Sequence, residues 1–271
     1  MPWKILSPKK IVLPNGKEVL EKSSFLPVLW LLILVLLFLS IRITGFSIEV
    51  LINRIQEFFV ILQQMIPPNW DYLSKLWQPL FDTIKMSLFG SVAGAVVALP
   101  IAILAATNIT KNKGIAMVAK FMLSLLRTLP TLIVALIATF IFGLGTMAGT
   151  VAIFLFTIAY VGKLLYEQIE NANMGAYEAM HSMGLTTSQA FRYAIMPQIL
   201  PNYLSTSLFC FEGNVRYASI LGYVGAGGIG LLLNESLGWR SYENVGMILL
   251  MLVCTVFLIE TTSEYFRKKL M

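Results

Sequence analysis

Charge is what this sequence has least of. Only 13% of its 271 residues are Asp, Glu, Lys or Arg, about half the roughly 25% of an ordinary soluble domain. Histidine occurs once, at His181, which excludes histidine-rich metal centres and H-E-x-x-H chemistry. The two cysteines, Cys210 and Cys254, stand far apart in apolar stretches; they read as two buried thiols, and no disulfide follows from them. No G-x-x-x-x-G-K-[ST] loop is present, so the chain brings no phosphate-cradling P-loop of its own. No nucleophile–base constellation or metal-ligand spacing stands out, so neither catalytic residues nor a metal site is expected.

What is there instead is hydrocarbon: 57% of the residues are hydrophobic and the mean hydropathy is +0.77. That places the chain among membrane proteins before any motif is read. The net charge of +6 does not point to nucleic acid, because the basic residues are not gathered on one aromatic-bearing face. They sit between apolar runs, as residues that orient a membrane protein do.

Phe25 to Ile41 is uncharged and follows lysines at 4, 9, 10, 17 and 22. It is close to the ~17-residue lower limit for a spanning helix. Its long leader and the lack of a small-residue cleavage site favour a retained helix over a signal peptide. Met86 to Thr107 is a second uncharged run, with Gly90, Gly94 and Ala98 at four-residue spacing, a small-residue stripe that lets helices approach closely. Thr128 to Gly162 is uncharged throughout and would reach about 52 Å as one helix, too long for a ~30 Å core. The stretch Phe142 to Gly149, FGLGTMAG, supplies a turn, giving helices over roughly 116–142 and 146–166. A last span runs from Val245 to about Thr262, ahead of Arg267, Lys268 and Lys269.

The segment 199–222 carries Glu212, Asn214 and Arg216 and is ambiguous by hydropathy alone. If it crosses, the lysine-rich N-terminus, the Lys111/Lys113 loop, the loop after Lys163 and the basic C-terminus all share one side, the cytoplasm. Six spans satisfy that bias and five do not. The implied organisation is a cytoplasmic segment over 1–24, a first transmembrane helix over 25–43, an external connection over 44–76, and a transmembrane domain over 77–267 with a cytoplasmic loop at 171–198.

Gly222 to Leu233, GYVGAGGIGLLL, holds a G-x-G-x-x-G run at Gly225, Gly227, Gly228 and Gly230. A dinucleotide site needs that run between a strand and a helix, and here it falls at the outer membrane face between spans five and six. A tight re-entrant glycine turn near a substrate pathway is expected instead.

In the loop, an amphipathic helix fits Asn173 to Met183, Gly184 suits its C-terminal cap, and Thr187 or Ser188 starts a second short helix. Pro197 and Pro201 are expected to break the chain before span five. Glu178-Ala179-Met180, Gly184 and Met196-Pro197 resemble the E-A-A-x-x-x-G…L-P loop of ABC importer permeases, with Met196 and Ala194 as mild apolar departures. The resemblance covers about 77–267. Glu212 to Leu233 and the stretch LRTLPTLIVALI around Arg127 look like the phosphonate-importer permeases in particular, although methionine-importer permeases share the Arg-x-x-Pro element.

This resemblance implies an all-α integral membrane protein of the type I ABC importer permease fold. It implies a loop in which Glu178, Ala179, Gly184 and Pro197 couple the chain to an ATPase. ATP and magnesium are then bound by a partner, with two ATPase subunits, an external binding protein, membrane lipid and a second copy of this chain as partners, and no nucleic acid. The implied cargo is a phosphonate or a related oxyanion, phosphate or phosphite. The alternatives are a same-fold permease for methionine or another solute, and a secondary transporter or channel, which would show internal repeats that the sequence lacks.

Ionisable side chains inside a span cost ~2.5–3.5 kcal/mol each on insertion scales, so they face a cavity or a partner. Arg216 is the first candidate for cargo contact, because its planar fork suits an oxyanion bidentately. Arg127, read as mid-helix in span three, is second and Asn214 third. Glu212 lies one turn from Arg216, and a purely internal ion pair is the competing reading.

Overall fold

The computed structural model describes residues 10–12, 18–20 and 26–270. Most of the expected 1–24 segment therefore lies outside the described residues. The chain divides into two compact units, Met1–Val60 and Ile61–Met271.

In the first unit β1 (Lys10–Val12) pairs antiparallel with β2 (Glu18–Leu20), Val12 opposite Glu18. The sequence reading did not anticipate this pair, although Asn15-Gly16 between the strands is a hairpin signal. Helix α1 (Leu26–Thr44) has no buried residue and no Asp or Glu. Helix α2 (Ile48–Gln64), within which the division falls, also buries nothing. Ile48, Leu51, Ile52, Ile55, Phe58, Phe59 and Leu62 make one apolar stripe at helical spacing. The 44–76 segment is thus not the plain connection expected.

The second unit is built around α3 (Leu73–Ala105), packed against α6 (Thr146–Glu170) and α9 (Met196–Leu221). The small-residue stripe on α3 explains the closeness. A Cβ on Gly90 would stand 2.8 Å from Ile153 Cγ2, and one on Gly94 would stand 2.6 Å from Thr157 Cβ. Bulk at either position would push α6 away. One buried core joins Ala95, Ala98 and Ala102 of α3 to Val161, Leu165 and Ile169 of α6 and Ile199 and Tyr203 of α9. Polar side chains lock the same three helices: Tyr203 donates to the Ala95 carbonyl (2.9 Å), and Asn214 Nδ2 donates to Ser91 Oγ (2.8 Å) and Thr157 Oγ1 (2.9 Å).

The third span is not one helix. α4 (Lys113–Thr128) and α5 (Thr131–Phe142) meet at 89°. Pro130 has no amide hydrogen and holds Leu129 in an extended conformation (ψ 121°), the restriction that a residue before proline feels. The expected continuous 116–142 helix is corrected accordingly. Gly143 (φ 83°) and Gly145 (φ 140°) then make the foreseen turn into α6.

Two further prolines behave otherwise than expected. Pro197 sits in the first turn of α9, where no amide donor is needed, and Pro201 is carried inside the helix. A π-helical turn over Phe191–Ile195 precedes them, so the chain is not broken ahead of span five. After α9 come α10 (Ile229–Gly238) and α11 (Tyr242–Leu270).

Among the described residues, four segments are long and apolar enough to cross a membrane: Leu26–Thr44, Trp70–Ala105, Thr146–Glu170 and Tyr242–Leu270. Counting each bent pair, α4 with α5 and Thr187–Val224 with α10, as one span gives six. Of the two thiols, Cys210 is buried, but Cys254 is exposed on α11, contrary to expectation.

Candidate functional site

The glycine run is built for close approach. Gly225, Gly227 and Gly228 have φ of 77°, 75° and 70°, a left-handed region that side chains with a Cβ rarely occupy. A helix precedes the run, not a strand, so the dinucleotide fingerprint is a coincidence of spelling. Gly228 offers no side chain to cap α10. Thr83 of α3 substitutes, accepting the Ile229 amide hydrogen at 2.8 Å while donating to the Pro79 carbonyl at 2.8 Å. The Gly145 amide donates to the Gly225 carbonyl (2.9 Å), clasping the two glycine turns together. Gly230 lies so near α9 that its Cβ would stand 2.0 Å from Ser219 O. α10 departs by 51° from the preceding helix, so the chain bends sharply at the glycines, as a broken span or a re-entrant loop does. Between α10 and α11, Arg240 adopts φ 53°.

Arg216 lies on α9 and is 53% exposed. It borders a cavity of about 420 Å³ walled by Phe156, Tyr160, Phe209, Cys210, Gly213, Tyr217 and Ile220. Phe156 stacks on Tyr160 (centroids 5.8 Å apart) and leans on Tyr217 (5.8 Å), so the wall is a largely aromatic surface with one cation on it.

Glu212 is 4% exposed and bonds to Arg216 one turn further along α9. Arg267 of α11 approaches from the other side, its Nη2 3.4 Å from Glu212 Oε2. Glu260 stands 3.9 Å from Arg216. Burying an unpaired carboxylate costs several kcal/mol, and the two arginines offset that. Arg267 also lies over the Phe209 ring at 5.6 Å, behind the cavity wall. Sequence reasoning counted Arg267 only as a marker of membrane side. Nothing in a pair 55 residues apart could have joined it to Glu212.

The other cargo candidates fall elsewhere. Asn214 is buried, with both hydrogen bonds described above spent on Ser91 and Thr157, and does not line the cavity. Arg127 is not mid-helix but in the last turn of α4, exposed, beside the Pro130 break, and forms no ion pair among the described residues.

At the loop, α7 (Gly175–Ser182) buries only Tyr177, which stacks on His181 (6.2 Å). Ala176, Glu178 and Ala179 are exposed. Gly184 follows with φ 91°. Thr186 and Gln189 form a capping box at α8 (Thr187–Ala190). Gln198 holds the loop to α9, accepting from the Asn173 amide and donating to the Asn173 carbonyl, both at 3.1 Å. Glu170 ties the end of α6 to the α3–α4 connection through Thr107 (2.9 and 2.6 Å) and to α4 through Lys120 (2.8 Å). The result is a short helix with small exposed residues on a firmly held base.

Among the described residues, helices able to cross a membrane four to six times thus carry a broken third span, a largely aromatic cavity bordered by one arginine, and an exposed short helix, the parts of a membrane transport subunit. The chain belongs to the family of binding-protein-dependent transport system inner membrane components, whose pattern matches residues 98–269. It is 32% identical over 218 residues to a phosphite transport system permease protein of Stutzerimonas stutzeri, covering 80% of this chain and 79% of that one. It is 33% identical over 211 residues to a phosphate-import permease protein of Mycolicibacterium smegmatis, covering 78% of this chain and 40% of that one. Among solved structures it superposes on the inward-facing MetNI methionine ABC transporter with a TM-score of 0.67 at 21% identity, over 75% of this chain and 99% of that one. That last likeness concerns the type I fold alone.

Proposed function

We propose that this permease passes phosphorus oxyanions, the group that phosphite, phosphate and phosphonates share, across the cytoplasmic membrane. The observation that carries the reading is the half-exposed Arg216 guanidinium on a largely aromatic cavity wall. A planar fork of donors meets two oxygens of a tetrahedral PO₃ face at once. Recognition at the outside belongs to a separate binding protein, so the cavity needs to hold the anion weakly enough to release it. A second copy of the chain completes the pathway, and lipid surrounds the pair. Two ATPase subunits bind ATP and magnesium and engage the loop around Glu178, Ala179, Gly184 and Pro197.

The test is competition in cells or vesicles carrying the full importer. Uptake of radiolabelled phosphite should fall when excess phosphate or methylphosphonate is added and stay unchanged with methionine. Inhibition by methionine alone would overturn the substrate class and favour an amino-acid permease.

The orientation rests on the basic residues at Lys111, Lys113, Arg267, Lys268 and Lys269. In a background with Cys210 and Cys254 replaced, Gly238→Cys should react with an impermeant thiol reagent added outside, and Asn112→Cys and Lys269→Cys should not. External labelling at residue 269 would remove the sixth crossing.

A further inference from the structure

Glu212 has one carboxylate and two arginines competing for it, and the two are not equivalent. Arg216 is on the same helix, half-exposed to the cavity; Arg267 comes from α11 and is only 24% exposed. Arg267 uses one nitrogen on Glu212, and its Nε is buried without a hydrogen-bond partner among the described residues. Such a donor costs free energy as long as it stays unused. It gives Arg267 the capacity to donate to a second carboxylate oxygen side-on.

We infer that Glu212 is a resident counter-anion that occupies Arg216 when the cavity is empty and yields it to the incoming oxyanion, with Arg267 holding the displaced carboxylate. The inference rests on the reading above that Arg216 meets the cargo. The carboxylate and the PO₃ face compete for one guanidinium fork. A fixed internal competitor lowers affinity for the cargo without lowering selectivity, because only an anion can take its place. Arg267 makes the exchange affordable: without it, Glu212 would be left buried and unpaired each time Arg216 turned to cargo. Glu260, half-exposed near Arg216, remains solvated and does not need a new partner. Arg267 is thus a positioning residue, acting on the cargo through Glu212 and from behind Phe209.

The experiment measures the Kd for radiolabelled phosphite by equilibrium dialysis, on the intact purified complex in lipid discs with the binding protein omitted. Glu212→Gln removes the competitor and should tighten binding about tenfold, equivalent to about 1.4 kcal/mol. Arg267→Met makes Glu212 depend on Arg216 alone and should weaken binding by about the same factor. The Arg267→Met, Glu212→Gln double variant should bind as tightly as Glu212→Gln, since the effect of Arg267 passes through Glu212. Arg216→Met should abolish binding in every background.

If Arg216→Met leaves phosphite binding intact, the cargo role of Arg216 fails and this inference falls with it. If Arg216→Met abolishes binding but Glu212→Gln leaves the Kd unchanged or raises it, only the counter-anion role is overturned. Glu212→Asp keeps the charge on a shorter arm and serves if the Gln variant does not assemble; it should tighten binding by a smaller factor. Failure of both variants to assemble would make the cluster structural and overturn the inference.

Discussion

An Ala179→Trp permease should reach the membrane with its helical bundle intact, melt at the normal temperature, lose its ATPase partner and import almost nothing. The residue is exposed on α7, whose only buried side chain is Tyr177. Its replacement removes no internal contact. The base beneath it is fixed independently by Gln198 on Asn173 and by the Thr186–Gln189 capping box. With this surface entering a cleft of the ATPase, as proposed above, a bulky ring at its centre costs binding through the partner alone, and central interface positions are where such costs concentrate. Uptake of labelled phosphite in cells, normalised to permease in the membrane, should drop at least about tenfold, the equivalent of about 1.4 kcal/mol. Uptake near the unaltered rate would show that α7 does not carry the ATPase contact.

Gly230→Val should be worse, because it prevents a stable bundle from forming. The new Cβ would stand 2.0 Å from Ser219 O and 3.0 Å from Gly222 Cα, and a Cβ on Gly222 would meet Gly230 C at 2.1 Å in return. All of these are backbone atoms, which cannot rotate away as a side-chain tip can. Overpacking of a side-chain core costs ~1–3 kcal/mol, and a backbone clash exceeds that range. Gly238→Ala is the control, since nothing lies within 4 Å of its Cβ. Detergent-extracted yield and melting temperature should be near normal for the control and yield near zero for Gly230→Val. A folded Gly230→Val protein with normal melting would reject the close crossing.

How far the sequence reveals this arrangement depends on the range of the interaction responsible. Apolar runs and lysine placement are local, and they locate the membrane-spanning segments and the loop. The stripe of Gly90 and Gly94 is local too, and it does mark the α3–α6 contact. Proline needs more than its presence. Pro130 breaks a helix that composition alone treats as continuous, while Pro197 and Pro201 are absorbed by a helix they were expected to end. The difference lies in whether neighbouring helices and a π turn can accommodate the lost amide, which is tertiary information. The Glu212–Arg267 pair is wholly tertiary. The i,i+4 partner Arg216 could be read from spacing, but the second arginine could not. Asn214 shows the same limit from the other side: a polar residue in a span invites a functional reading until Ser91 and Thr157 are seen to satisfy it.

The π-helical turn at Phe191–Ile195 has a consequence for the loop as a machine part. Each residue in an α-helix advances the side-chain direction by about 100°, given 3.6 residues per turn. A π turn inserts one residue without interrupting the rod, so it resets the angular phase between the short helices and α9. The direction in which α8 leaves α9, and with it the start of the chain's path back toward Gly184, is therefore set by a count of residues, as the timing of a cam is set by its keyway. Removing one residue from Phe191–Ile195 would return that turn to α-helical spacing and rotate α8 by about 100° relative to α9.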